Sequence, residues 1–228
     1  MKKNIAVITG AGSGLGKELA KVLYEKSYFV VLVGRKNIKL ENVSKDFNNN
    51  YLNIATDVSI KNNVDDIFTK VSELDGNLNI VINCAGEGVF AKVGSFNNND
   101  LDRAFSANLI GTILMSQEAL NNFDNEGTIV NVMSTAANVG RAGESIYCAA
   151  KWGAKGFTES LKLETKGSNI KVFSVYPGGM QTPFWCEKAG MVPDTTTFMK
   201  PEEVATLIVE NILNKNTLQV TDIIINRR

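Results

Sequence analysis

Residues 4–16 read Asn-Ile-Ala-Val-Ile-Thr-Gly-Ala-Gly-Ser-Gly-Leu-Gly, and this stretch restricts the fold more than any other. Residues 4–9 form an apolar, β-branched run of strand length. Gly10, Gly12, Gly14 and Gly16 follow on alternate positions, and residues 17–26 then put Leu19, Ala20 and Leu23 on one helical face. A strand that turns through glycines into a helix lets the backbone come close to a pyrophosphate, and the helix N-terminus supplies unpaired N–H groups and the positive end of a dipole. A flexible turn would carry the same glycines; the strand before and the helix after favour the phosphate reading. The spacing is not GxGxxG, because Leu15 occupies the place of its last glycine, and Thr9-Gly10-x-x-x-Gly14-x-Gly16 describes it instead.

Strand and helix patterns keep alternating after this unit. Strands are expected at 28–33, 51–56, 78–82, 127–132, 170–176 and 221–226, with helices at 60–74, 101–123, 145–163 and 201–213. The strand at 28–33 ends in Gly34-Arg35-Lys36. An NAD site calls for an acidic residue near here to bind the ribose 2′-hydroxyl, and two cations stand in its place. A guanidinium at that strand end suits a 2′-phosphate, with Ser13 as an extra contact, so NADP is favoured; a solvated strand end is the alternative. Asp57-Val58 follows the third strand, where Asp57 also suits an Asx turn or a cap for the next helix. Residues 87–99 read as loop, with Asp100 as a helix cap. Asn108 falls in mid-helix without a propensity reason. Residues 184–199 hold three aromatics, Phe184, Trp185 and Phe198, but no firm periodicity, which suggests a cover over a substrate.

Such a succession needs a chain long enough to cover a sheet, and 228 residues suffice for one large domain, 1–228, without disulfides or metals. Repeats and linkers that would mark a second domain are absent. Lys plus Arg equals Asp plus Glu, 24 each, so no overall field draws nucleic acid or an anionic membrane, and neither is expected as a partner. Cys84, Cys148 and Cys186 lack CxxC spacing and suit a reducing compartment. The opening apolar run is too short for a signal peptide or a membrane span, so a cytoplasmic location is expected. Histidine is absent, which removes Ser-His-Asp and Cys-His nucleophilic sites, the HExxH zinc site and histidine general bases. No metal is expected, and proton transfer is left to Tyr, Lys, Asp, Glu or Cys.

Within the helix expected at 145–163, Tyr147 and Lys151 lie four residues apart on one face. A free phenol, with a pKa of about 10, is a poor proton donor or acceptor at neutral pH. A neighbouring ammonium favours the phenolate. Bringing the value to about 7 takes roughly 4 kcal/mol of differential interaction, which Lys151 and a second cation such as an oxidised nicotinamide ring would supply. The spacing alone also fits a surface pair on any amphipathic helix.

The ordered set Thr9-Gly10-x-x-x-Gly14-x-Gly16, Asn83-Cys84-Ala85-Gly86, Ser134 thirteen residues before Tyr147, Tyr147-x-x-x-Lys151 and Pro177-Gly178-x-Met180-x-Thr182 resembles the short-chain dehydrogenase/reductase family over essentially the whole chain. Cys84 replaces the family's second asparagine and Met180 its branched aliphatic. The resemblance implies an α/β, Rossmann-like, doubly wound fold: a mainly parallel seven-stranded sheet in a three-layer α/β/α arrangement. It implies Asn108, Ser134, Tyr147 and Lys151 as catalytic residues, Tyr147 as acid, Ser134 on the same substrate oxygen, and Asn108 holding a water beside Lys151. It also implies cofactor contacts from Gly10, Ser13, Gly14, Leu15, Gly16, Arg35, Asp57 at the adenine, Val58, Asn83, Ala85, Gly86, Tyr147, Lys151, Pro177, Gly178, Met180 and Thr182. The expected activity is NADP(H)-dependent hydride transfer to a carbonyl, or from a secondary alcohol, of a small molecule. Val89, Phe90, Phe184, Trp185 and Met191 suggest an apolar or aromatic one. A dehydratase or epimerase on the same fold, or an NADP-binding redox sensor without turnover, is the alternative. The family resemblance further implies a homo-oligomer, dimer or tetramer, through the helices holding Asn108 and Tyr147.

Overall fold

Strands and helices alternate along the chain: β1 Lys3–Thr9, α1 Gly14–Glu25, β2 Phe29–Gly34, α2 Asn37–Ser44, β3 Tyr51–Ala55, α3 Lys61–Ser72, β4 Gly76–Asn83, α4 Asn98–Phe105, α5 Gly111–Asn122, β5 Gly127–Val132, α6 Ser145–Glu164, β6 Ile170–Pro177, α7 Pro201–Ile212 and β7 Asp222–Ile225. The computed structural model describes residues 2–214 and 220–227, so residues 1, 215–219 and 228 of the expected domain lie outside the described residues. The seven strands form one sheet in the order β3-β2-β1-β4-β5-β6-β7. Every neighbouring pair is parallel; Val7 of β1, for example, faces Val31 of β2 on one side and Val81 of β4 on the other.

A parallel sheet needs helical crossovers, and these cover both its faces. Successive side chains of each strand point to opposite faces, which divides the core in two. Ala6, Ile8, Leu32 and Ile82 pack under Leu19 and Leu23 of α1, Leu40 of α2 and Ile208 of α7. Ile5, Val7, Val33 and Val81 pack under Ile67 and Phe68 of α3, Met115 of α5 and Leu161 of α6. This is the expected doubly wound, three-layer fold. From β1 the chain moves outward through β2 to β3, and α3 then carries it back to β4 on the far side of β1. The crevice between the carboxyl ends of β1 and β4 is the place where such sheets bind ligands.

Several elements differ from the sequence reading. α1 begins at Gly14, so the glycine turn is shorter than the motif suggests and Gly16 belongs to the first helical turn. α2 has no counterpart in the sequence reading; it buries only Leu40, Val43 and Ser44, too few positions for a helical stripe. The helix expected over 101–123 is two α-helices joined by a π-helical turn, Ser106–Ile110. Its cap is Asn97, not Asp100: the Asn97 side chain accepts from Asp100 N, and Asp100 Oδ2 accepts from Asn97 N, a capping box. The 184–199 segment carries a 3-10 turn at Glu187–Ala189 and is tied back by isolated bridges, Met180 to Met199 and Cys186 to Met191. Among the described residues no helix is long and apolar enough to cross a membrane.

Candidate active site

A cavity of about 900 Å³ opens at the crevice. Its first wall is the glycine turn. Gly10 adopts φ +68°, and a Cβ there would stand 2.8 Å from the Cys84 carbonyl oxygen, so glycine alone lets the ends of β1 and β4 approach so closely. Thr9 ties the same two ends: its hydroxyl accepts from the N–H groups of Cys84 and Ala85, both at 3.0 Å. The helix N-terminus at Ser13 has no side-chain cap and no acidic residue in its first turn, which leaves N–H groups and the dipole's positive end facing the cavity.

Arg35, Lys36, Lys39, Asp57 and Val58 line the cavity beside this turn. Lys39 escaped the sequence reading because it lies on α2. Asp57 Oδ1 accepts from Ser59 N at 2.9 Å and from Ser59 Oγ at 2.7 Å, an Asx turn; the residue preceding α3 is Ile60, so Asp57 is not its cap. Arg35 Nη2 donates to Glu87 Oε2 at 3.1 Å.

Asn83 does not join the lining, in contrast to the cofactor contact expected from the motif. The pleat of β4 turns its side chain away from the crevice, where Nδ2 donates to Asn131 Oδ1 at 2.8 Å and to Ser116 Oγ at 3.0 Å. Ala85 and Gly86 do line the cavity. A Cβ at Gly86 would meet Asn108 Oδ1 at 2.8 Å. Asn108 is fully buried in the π-helical turn, and its amide grips backbone on two sides: Nδ2 donates to Glu87 O at 2.8 Å and to Ala104 O at 2.9 Å, while Oδ1 accepts from Glu87 N at 3.3 Å.

Ser134 stands at the carboxyl end of β5, and its Oγ accepts from Ala136 N at 3.1 Å, which leaves the hydroxyl proton free to be donated. Tyr147 and Lys151, on α6, line the cavity and are buried. The Tyr147 ring lies edge-on to Phe90, with centroids 5.4 Å apart. Burial pushes the Tyr147 phenol up from its ordinary pKa; a hydrogen bond with Ser134 and the charge of Arg141 pull it down, while Glu144 and Cys148 add to the rise. The expected lowering by Lys151 is therefore not met by the protein's own groups. Lys151 Nζ points to β5 and donates to Val132 O at 3.1 Å, and burial lowers its pKa to about 8. Burial likewise pushes the Cys84 thiol up to about 12.

Pro177, Gly178, Met180 and Thr182 form the opposite wall, followed by Phe184, Trp185 and Lys188. Three apolar residues expected to line the pocket do not reach it. Val89 packs with Ala104 and Ile146, while Phe90 and Met191 support Tyr147 and Trp185 from behind. The lining instead carries charges that no motif marked: Glu87, Arg103, Arg141, Glu144 and Lys188. Burial works against ionisation of Glu87, but hydrogen bonds from Lys188 and Arg103, with the charges around them, hold its carboxyl at about 2.

The uncapped helix end, the close-approach glycines and the cations beyond β2 are groups that fit the phosphates of a nicotinamide dinucleotide, and Tyr147 lines the same cavity. This defines a nucleotide-dependent oxidoreductase of the α/β class. The family model for short chain dehydrogenase matches residues 4–191, and the chain belongs to the short-chain dehydrogenase/reductase family of NAD(P)-dependent oxidoreductases. It is similar to an uncharacterized oxidoreductase of Staphylococcus epidermidis, 31% identical over 185 residues that cover 80% of each chain. It is also similar to the crystal structure of a short-chain dehydrogenase/reductase from Vibrio parahaemolyticus, 36% identical with a TM-score of 0.86 over 98% of this chain and 96% of that one. An alcohol dehydrogenase from the archaeon Thermococcus sibiricus, complexed with 5-hydroxy-NADP, shares the fold at 22% identity, with a TM-score of 0.89 over 98% of this chain and 96% of that one.

Proposed function

We propose that the protein is an NADP(H)-dependent dehydrogenase/reductase, a single nucleotide-binding domain whose 184–200 segment covers a small carbonyl or alcohol substrate. The observation that carries this reading is the buried Tyr147 phenol beside the Ser134 hydroxyl, in the same cavity as the uncapped N-terminus of α1. When bound, the nicotinamide supplies or accepts the hydride. Ser134 donates to the substrate oxygen and holds it at the phenol. Tyr147 gives its proton to that oxygen in reduction and takes it back in oxidation. Because burial raises its pKa, the phenol is protonated at neutral pH, the form that reduction needs.

Lys151 would hold the nicotinamide ribose, and its charge, which by itself does not offset the burial of the phenol, would join that of the oxidised ring in easing removal of the phenol proton in oxidation. Asn108 orders a water that passes protons to Lys151. Arg35, Lys36 and Lys39 favour the 2′-phosphate of NADP, supported in direction by the ligand named for the archaeal alcohol dehydrogenase. Phe184 and Trp185 give the substrate subsite an aromatic wall. Cytoplasmic residence and a homodimer or homotetramer through α5 and α6 complete the reading; half-exposed Trp152 and exposed Leu163 on α6 suit a partner surface.

Fluorescence titration with NADPH and NADH, followed by NADPH consumption over a panel of ketones, diketones and sugars, tests it. Tyr147→Phe is expected to lower turnover by about 100- to 10,000-fold while NADPH still binds. Unchanged turnover removes the phenol from the chemistry. Arg35→Asp is expected to weaken NADPH far more than NADH, and equal losses remove Arg35 from the phosphate subsite.

A further inference from the structure

Arg35 and Glu87 leave the sheet from strands that are not neighbours. Arg35 directly follows β2, Glu87 lies just beyond β4, and β1 stands between those strands. The 3.1 Å pair from Arg35 Nη2 to Glu87 Oε2 therefore passes over the carboxyl end of β1, where the glycine turn begins. Both side chains line the dinucleotide cavity.

Glu87 does not depend on Arg35. Arg103 reaches it through Nη2 at 2.6 Å and Nε at 2.7 Å, and Lys188 Nζ at 2.9 Å. Arg103 is itself fixed, with a side chain only 16% exposed that also bonds Asp100 Oδ1 at 3.2 Å and the Lys188 carbonyl at 3.0 Å. The Arg35 side chain is 58% exposed, and Glu87 is its ion-pair partner. Of the two guanidiniums on the carboxylate, Arg35 is the one that can leave, and Glu87 stays neutralised when it does.

We infer that Glu87 is a built-in competitor for the 2′-phosphate: it holds the Arg35 guanidinium across the groove and yields it to a 2′-phosphorylated dinucleotide, so that Glu87 tempers the preference for NADPH over NADH. This rests on the proposed NADP site. A phosphate offers Arg35 a bidentate, doubly charged acceptor, whereas a ribose hydroxyl brings no charge to draw it from a carboxylate. The 2′-phosphate thus gains only the difference between two ion pairs. Glu87 sets that difference without touching the cofactor's reacting end.

A double-mutant cycle tests this, with the Kd values of NADPH and NADH measured for the native protein, Glu87→Gln, Arg35→Ala and the double variant. Glu87→Gln is expected to tighten NADPH by about two- to five-fold, as suits a partly exposed ion pair, and NADH by less. In the Arg35→Ala background the same substitution is expected to leave NADPH binding unchanged. Equal tightening with and without Arg35 would mean that the Glu87 charge acts on the phosphates at a distance, and this overturns the inference, as does unchanged or weakened NADPH binding in a folded Glu87→Gln protein. Thermal scans accompany the titrations, because Glu87 also anchors Arg103 and Lys188. Should Glu87→Gln fold poorly, Glu87→Asp keeps a charge for Arg103 but shortens the reach to Arg35, and the same cycle decides. Failure of the native protein to bind either nucleotide overturns the site and the inference together; binding with an additive cycle overturns the inference alone.

Discussion

Lys151 is buried at 4% exposure with its ammonium on the Val132 carbonyl, and burial brings its pKa from 10.5 down to about 8. A lysine whose folded pKa is depressed binds fewer protons than it does unfolded at pH values between about 8 and 10.5, so across that window stability rises with pH. At pH 7 the side chain is charged in both states, and the folded state bears the full cost of burying it. Lys151→Met should therefore raise Tm at pH 7, by about 2–4 °C per kcal/mol recovered, while activity collapses. The gain should shrink as pH rises through the window. Thermal scans at pH 7 and near pH 10 check this; a lower Tm at pH 7, or a gain that grows with pH, contradicts the burial argument. Spacing in the sequence placed Tyr147 and Lys151 on one helix face, which the structure bears out. It did not reveal where their polar ends point, because that depends on β5 and on the depth of burial, and neither is written in a four-residue interval. For the same reason Glu87 and Arg103 gave no sequence signal: they meet only after β4 and α4 are placed.

At the level of elements, the π-helical turn Ser106–Ile110 explains why a helix reading of 101–123 was nearly right and still missed something. A single wide turn adds little to the helical period, so the apolar pattern runs through it, and the anomalous Asn108 was the one visible mark. The turn lets the Asn108 amide cross to the chain after β4 and bond both polar groups of the Glu87 backbone. α2 was missed for the opposite reason: its apolar face is too sparse to show a period. Asn108→Leu removes the donor to Glu87 O and Ala104 O and the acceptor for Glu87 N, leaving polar groups beside an apolar side chain. A loss of about 2–4 kcal/mol is expected, seen as a lower urea midpoint at an unchanged m-value. Asn108→Asp keeps the acceptor but turns a carboxylate oxygen toward the Glu87 and Ala104 carbonyl oxygens in a fully buried site, so it should cost at least as much. An unchanged urea midpoint for Asn108→Leu would take the clamp on residue 87 out of the fold's stability.

For the whole molecule, the alternation of strands and helices was legible, because strands covered on both faces read as unbroken apolar runs, and the family resemblance implied the layering; the order of the strands was not written in the sequence and came only with the structure. The two cores lie on opposite faces of that sheet. Ile208 of α7 and Ile67 of α3 are both fully buried, one on each face, and each touches strands whose alternate residues belong to the other core. If the sheet couples the faces, Ile208→Ala and Ile67→Ala should each cost about 2–5 kcal/mol and shift a single transition. Two probes report on different regions: far-UV circular dichroism follows the helices and strands together, and fluorescence follows Trp152 on α6 and Trp185 on the segment over the cavity. Coincident curves are expected for the native protein and for both variants. A fluorescence curve that separates from the dichroism only in Ile208→Ala would show that α1 and α7, which flank the glycine turn, unfold apart from the rest. The nucleotide would then bind and stabilise one face, where a coupled sheet lets saturating NADPH raise the midpoint of both variants alike.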